Sequence, residues 1–171
     1  AGQEVVQSAH AAGGEGKDAA YFYRNVYGPI RFACENRLTK PFPLEAECMA
    51  ALKKAGIRTA VVTNKSQEGA DALGRTHLAP FGFDGIYGNR DGVPVKPDPT
   101  LTLMALAELG AAPEEAAFVG DGETDVQTAK NARMRSVSVL WGYRPKEELL
   151  AAGATRFAKD YAELRSMLLS M

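Results

Sequence analysis

The chain of 171 residues fits one domain of the typical ~150 residues with room for a small appendage. Its hydrophobic share of 46% and charged share of 24% are those of a globular domain and argue against disordered, collagen-like and disulfide-scaffold classes. With 20 Lys+Arg against 21 Asp+Glu, the net charge of −1 gives no basic footprint for nucleic acid or an anionic membrane.

No apolar run approaches the ~18 residues that span a bilayer, and the N-terminal region lacks the charged-then-apolar layout of a secretory signal. The chain therefore reads as soluble and cytoplasmic, with no nucleic-acid and no membrane partner. Cys34 and Cys48 form no C-x-x-C and have neither His10 nor His77 close by in the sequence. They read as reduced thiols that pack as small hydrophobes.

Residues 1–17 read as loop or frayed helix. Gly13-Gly14-Glu15-Gly16-Lys17 has the look of a phosphate-binding loop, but Ala11 stands where the motif needs Gly and Asp18 where it needs Ser or Thr. Over residues 19–37, Tyr23, Val26, Tyr27, Ile30 and Cys34 recur at helical spacing, with Pro29 expected to break or kink the helix. Tyr21, Arg24 and Arg31 lie on the same segment and read as packing or surface residues. Lys40-Pro41-Phe42-Pro43 then reads as an extended linker, which divides the chain into 1–40 and 41–171.

Beyond the linker the pattern is regular. A helix is expected over 44–55, with Glu45 and Glu47 in its first turn, Lys53 and Lys54 in its last, and Gly56 as its stop. A buried strand at 58–62, a helix at 66–73 and a short strand at 84–87 follow. Asp98 and Pro99 start a helix that ends at Gly110. Then come strand 116–119, helix 123–132, strand 136–140, helix 146–152, strand 155–158 and helix 161–169. Apolar strands alternating with helices predict an α/β fold, a parallel sheet covered by helices on both faces. Ligands of such sheets sit beyond the carboxyl ends of the strands, here just after Val62, Val119 and Leu140.

Three polar clusters fall near those places. Thr63-Asn64-Lys65 follows the first strand and reads either as a phosphate site at a helix start or as a simple N-cap. Gly120-Asp121-Gly122-Glu123-Thr124-Asp125 follows the third, and its carboxylates, one helical turn apart, could hold a hard cation such as Mg²⁺ or could cap the next helix. Between them, the prolines of Val95-Lys96-Pro97-Asp98-Pro99 stiffen a loop in which Lys96 is either a fixed charge for a phosphate or an ordinary surface lysine.

In this order, strand–Thr63-Asn64-Lys65, Lys96-Pro97-Asp98-Pro99 and strand–Gly120-Asp121-x-x-x-Asp125 resemble motifs two, three and four of the haloacid dehalogenase-like hydrolases. The resemblance covers roughly residues 41–170. The Thr-Asn-Lys form, the Lys-Pro-Asp-Pro run and Trp141-Gly142-Tyr143 look most like the phosphoglycolate phosphatase branch. The resemblance implies a three-layer Rossmann-like core over 41–171, preceded over 1–40 by the returning part of a helical cap. It implies that Thr63 binds the phosphoryl group with help from Asn64, that Lys96 balances charge at nucleophile and phosphate, and that Asp121 ligates Mg²⁺ with Asp125 supporting the metal. The substrate class implied is a small phosphorylated metabolite.

The family's nucleophile and general acid are paired in an Asp-x-Asp after its first strand, and this sequence has none: its aspartates are Asp18, Asp71, Asp84, Asp91, Asp98, Asp121, Asp125 and Asp160. The resemblance places that strand in the middle of the sheet, between those ending at Val62 and Val119. The expectation is therefore a core lacking its first central strand, unable to fold as a healthy monomer and inactive alone. The chain also opens at Ala1 rather than Met, so an absent N-terminal segment is expected to carry the nucleophile. A non-catalytic module completed by another chain or a swapped copy, and a pyrophosphatase or mutase of the same branch, are the alternatives. A dehalogenase is disfavoured by the acidic residues at Gly120-Asp121.

Overall fold

The computed structural model describes residues 40–171, of which Pro41–Met171 form one compact unit. The expected helix at 19–37, its aromatic and arginine residues, Cys34 and His10 lie outside the described residues.

Helix α1 (Glu45–Lys54) has its acidic residues first and its lysines last, as a helix dipole favours. Gly56 ends it at a φ of 75°. Strand β1 (Ala60–Ser66) leads into α2 (Gln67–Leu73), a wide π-type turn at Gly74–Leu78 and a 3₁₀ turn at Ala79–Phe81. Strand β2 (Gly85–Asn89) returns parallel to β1, pairing Ala60 with Gly85, Val61 with Ile86 and Val62 with Tyr87. Helix α3 (Thr100–Glu108) covers this pair, and Leu101 and Ala105 pack on Tyr87, Ala60 and Val62.

The second half repeats the pattern. Strand β3 (Ala117–Gly120), α4 (Glu123–Asn131), β4 (Arg135–Val139), α5 (Lys146–Ala151), β5 (Phe157–Ala158) and α6 (Tyr161–Leu169) form a parallel sheet of order β3-β4-β5 with its helices. Alternation sorts the side chains. Val137 and Val139 pack with Ala158 against Leu164 of α6, whereas Phe118 and Ser136 pair in register and turn to the opposite face. Val126 of α4, Leu149 of α5 and Ala154 close a further cluster.

Most elements fall within a residue or two of their expected positions. One difference matters. The first strand continues past Val62 through Thr63, Asn64 and Lys65 to Ser66, with an irregular register between Val62 and Ser66. The helix start that the sequence located at Thr63-Asn64-Lys65 belongs instead to Ser66, whose hydroxyl accepts the Gly69 N–H at 3.3 Å. At α3, Pro99 rather than Asp98 holds the N-cap position, and Asp98 accepts the Thr100 N–H at 2.9 Å. Hydrogen bonds from the Thr100 hydroxyl and amide hold the Asp98 carboxyl below its ordinary pKa.

Among the described residues β1 pairs only with β2, and β3 only with β4, so the parallel strands form two separate sheets. A cleft of about 1130 Å³ is lined by residues 59–62 of one sheet and 116–119 of the other, with Cys48 and Leu52 of α1 and Leu164 of α6. Val119 is left 38% exposed, although its apolar run reads as a strand buried on both faces. Thr102 and Arg135 also line the cleft, and Thr102 Oγ1 and Arg135 Nε are buried without a hydrogen-bond partner among the described residues. Among the described residues there is thus no strand where the resemblance expects the first central one. Cys48 is 2% exposed, and burial raises its thiol pKa, as suits a packed hydrophobe.

Two stability measurements follow. Leu44 enters α1 at a φ of 64°, a left-handed conformation that crowds a Cβ, and its side chain is half exposed. Leu44→Gly is expected to raise the urea midpoint by the equivalent of about 1 kcal/mol. Tyr161 stacks 4.8 Å from Trp141, and burial, then the charges of Glu45 and Cys48, push its pKa up to about 12 from 10.0. The unfolded tyrosine loses its proton first, so stability is full below about pH 10 and falls as pH rises towards about 12. Tyr161→Phe should flatten that fall in alkaline denaturation curves.

Candidate active site

The site is built where β1, β3 and the loop after β2 end. Asn64 projects from the far part of β1. Its side-chain amide brackets the backbone of Lys96 in the proline loop: Oδ1 accepts the Lys96 N–H at 2.8 Å, and Nδ2 donates to the Lys96 carbonyl at 3.0 Å. The next carbonyl, that of Pro97, accepts from Asn131 Nδ2 at 2.8 Å. Thr63, the neighbour of Asn64, is partly buried and its hydroxyl accepts the Lys65 N–H at 3.2 Å.

Held in this way, Lys96 places its ammonium 2.7 Å from Asp125 Oδ1 and 5.3 Å from the centre of the Phe118 ring. Both partners of the ion pair are largely covered, with side chains 12% and 15% exposed. Coulomb attraction is stronger there than between exposed groups, because less water screens it. The ring face of Phe118 adds a second favourable contact for the cation.

Asp125 does more than pair with Lys96. Its Oδ2 accepts the N–H groups of Asp121 and Gly122 at 3.2 and 3.1 Å, closing the first turn of α4. Both oxygens of Asp125 are therefore engaged. Asp121 differs: Oδ2 accepts the Tyr143 N–H at 2.9 Å, and Oδ1 accepts no hydrogen bond from the described residues.

Two glycines make this packing possible. A Cβ on Gly120 would overlap the Asp125 carboxyl, and one on Gly142 would overlap that of Asp121. Neither needs an unusual φ; each supplies space. Around the rim, Tyr143 is 97% exposed, and Arg144 pairs with Glu123 at 2.9 Å and Glu148 at 3.5 Å.

The structure thus links Asn64, Lys96, Asp121 and Asp125 in one hydrogen-bonded network, with Thr63 joined to it by chain position. Sequence reasoning had no signal for Asn131 or Phe118. Gly142 was noted only within the Trp141-Gly142-Tyr143 run. No group of three or more acidic, His or Cys side chains gathers to hold a metal among the described residues. A Mg²⁺ ion commonly takes one or two carboxylates and keeps several waters or phosphate oxygens. Asp121 fits such a ligand role through Oδ1, whereas Asp125 has both oxygens turned to Lys96 and the backbone.

The chain belongs to the haloacid dehalogenase-like hydrolases, whose family model matches residues 4–133. It is 36% identical over 152 residues to a protein of Caldanaerobacter subterraneus provisionally named pyrophosphatase PpaX, covering 89% of this chain and 69% of that one. It is 39% identical over 106 residues to a phosphoglycolate phosphatase of Aquifex aeolicus, covering 61% of this chain and 49% of the relative. A crystal structure from Lactobacillus delbrueckii subsp. bulgaricus, provisionally named a phosphoglycolate phosphatase, superposes with a TM-score of 0.80 at 31% identity, covering 85% of this chain and 61% of that one. The chain thus spans about half of the Aquifex enzyme's length, 49%.

The crowding at Gly120 gives a test of the site's architecture. Gly120→Ala should cost about 1–3 kcal/mol in urea denaturation, because the Asp125 carboxyl it displaces is tied to Lys96 and to two backbone amides.

Proposed function

We propose that the chain supplies the binding and electrostatic part of a Mg²⁺-dependent phosphatase that hydrolyses a small phosphate monoester through an aspartyl-phosphate. The observation that carries this reading is the fixed Lys96 ammonium, 2.7 Å from Asp125, in the network that also holds Asp121 and borders β1 and β3, each paired on one edge among the described residues. The nucleophilic aspartate arrives on a strand from outside this sequence, seated in the cleft between β1 and β3.

In this reading the Thr63 hydroxyl and the Lys96 ammonium bind the phosphoryl group, with Asn64 assisting. Lys96 also neutralises the charge brought together when a carboxylate oxygen attacks phosphorus. The phosphorus–ester oxygen bond breaks, and the departing alkoxide takes a proton from the second aspartate of the incoming strand. Water then attacks the aspartyl-phosphate and releases inorganic phosphate, the same aspartate accepting its proton. Mg²⁺, when bound at Asp121, supplies Lewis-acid stabilisation of the phosphoryl oxygens. Asp125 holds Lys96 and the 120–122 backbone in place.

Phosphoglycolate and pyrophosphate are the substrates to try first, since relatives carry both names. Cytoplasmic location is part of the same proposal. It agrees with the absence, among the described residues, of any helix long and apolar enough to cross a membrane.

The test joins an apolar strand ending in Asp-x-Asp to the N-terminus and measures phosphate release from both substrates. Mg²⁺-dependent turnover is expected, abolished by changing the first aspartate of that motif to Asn and lowered roughly 10²–10³-fold by Lys96→Ala. A folded, completed protein without turnover, or one whose turnover ignores Lys96→Ala, overturns the proposal. Turnover on completion would also argue against the non-catalytic alternative.

A further inference from the structure

The loop that carries Lys96 is fastened from both halves of the divided sheet. On one side, both polar ends of the Asn64 amide are bonded to the backbone of Lys96, one to its N–H and one to its carbonyl. On the other, Asn131, the last residue of α4, donates to the Pro97 carbonyl, and Asp125, in the first turn of α4, takes the Lys96 ammonium. Asn64 belongs to the β1–β2 sheet, and α4 packs on β3 and β4. Pro97 has no N–H, so within the Lys96-Pro97 pair only one N–H and two carbonyls are available for anchoring. All three are engaged by the two asparagines.

We propose that Asn64 and Asn131 are positioning residues for Lys96: they fix its backbone so that the ammonium stays on the side of the site where a phosphoryl group would lie. A lysine side chain has a long flexible stem, and its charge is only as well placed as the backbone it starts from. A group that stabilises a transition state must be held within about half an ångström. Asn64 thus assists phosphate chemistry indirectly, through Lys96. The catalytic meaning rests on the phosphatase reading, but the clamp itself is testable without turnover.

The experiment uses the 171-residue chain, treated with a limiting amine acylating reagent, and reads the labelling rate of each lysine by peptide mass spectrometry. Lys146 and Lys159, on α5 and after β5, serve as references. In Asn64→Ala and Asn131→Ala, Lys96 should label about tenfold faster, the change that loss of ~1.4 kcal/mol of hydrogen bonding produces, with both references unchanged. An unchanged Lys96 rate overturns the proposal. If every lysine accelerates, Asn64→Asp decides. It preserves the side-chain volume and the acceptor for the Lys96 N–H, so a smaller rise confined to Lys96 supports the clamp, and any other result overturns it.

In the strand-completed enzyme, Asn64→Ala should lower kcat with little change in KM, as expected for an interaction needed mainly in the transition state. A raised KM at unchanged kcat would assign Asn64 to substrate binding instead and overturn the proposal. If the completed wild type shows no turnover while Lys96 labels as described, the phosphatase reading fails and the clamp stands.

Discussion

A strand's backbone must find partners on both edges or face water, and among the described residues β1 and β3 each have a partner on one edge only. Much of the unit's character follows from that constraint. The parallel strands carry apolar runs suited to burial on both faces, yet they line a cleft of about 1130 Å³ and leave Val119 38% exposed. Packing is correspondingly distributed. One cluster lies under α3, one under α6 and one between α4 and α5, each within its own sheet half. Thr102 Oγ1 and Arg135 Nε, both buried without partners among the described residues, belong to residues lining this cleft, where unsatisfied polar groups are costly.

Across that divide, the polar site is a principal tie. Asn64 reaches from β1 to the Lys96 loop, and Asp125 and Asn131 reach the same loop from α4. α1 and α6 pack together elsewhere in the unit. The site network is thus structural as well as chemical. The ion pair at its centre is well covered, and removal of either partner leaves a desolvated charge behind, the arrangement in which truncation is most costly.

Asp125 shows how position changes the role of a residue type. Four residues after Asp121 it has the spacing of a second metal carboxylate, but its oxygens are taken by an ammonium and two amides. Asp121 is directed instead at the Trp141–Tyr143 loop, where its Oδ2 accepts the Tyr143 N–H. Gly120 and Gly142 are the complement of this division, since each gives one of the two carboxyls its room.

Much of the fold was legible because its signals are local. Apolar runs between glycines and prolines marked the strands, and the charge order of Glu45, Glu47, Lys53 and Lys54 marked α1. The motif order pointed to the hydrolase family, and the absent Asp-x-Asp pointed to the place between β1 and β3 where no strand lies among the described residues. What sequence could not supply were contacts between distant residues. Asn64 meets Lys96 across 32 positions and Asn131 meets Pro97 across 34, and nothing in an asparagine's neighbours announces such a partner. Likewise β1 continues past Val62 to Ser66, where Ser66 pairs with Asn89 of β2 after an irregular stretch. The sequence by itself determined which elements form and which residue types could handle a phosphate. Only the tertiary structure decided which carboxylate holds Lys96 and which instead accepts from the Tyr143 N–H, because that choice depends on distances set by packing between two sheets.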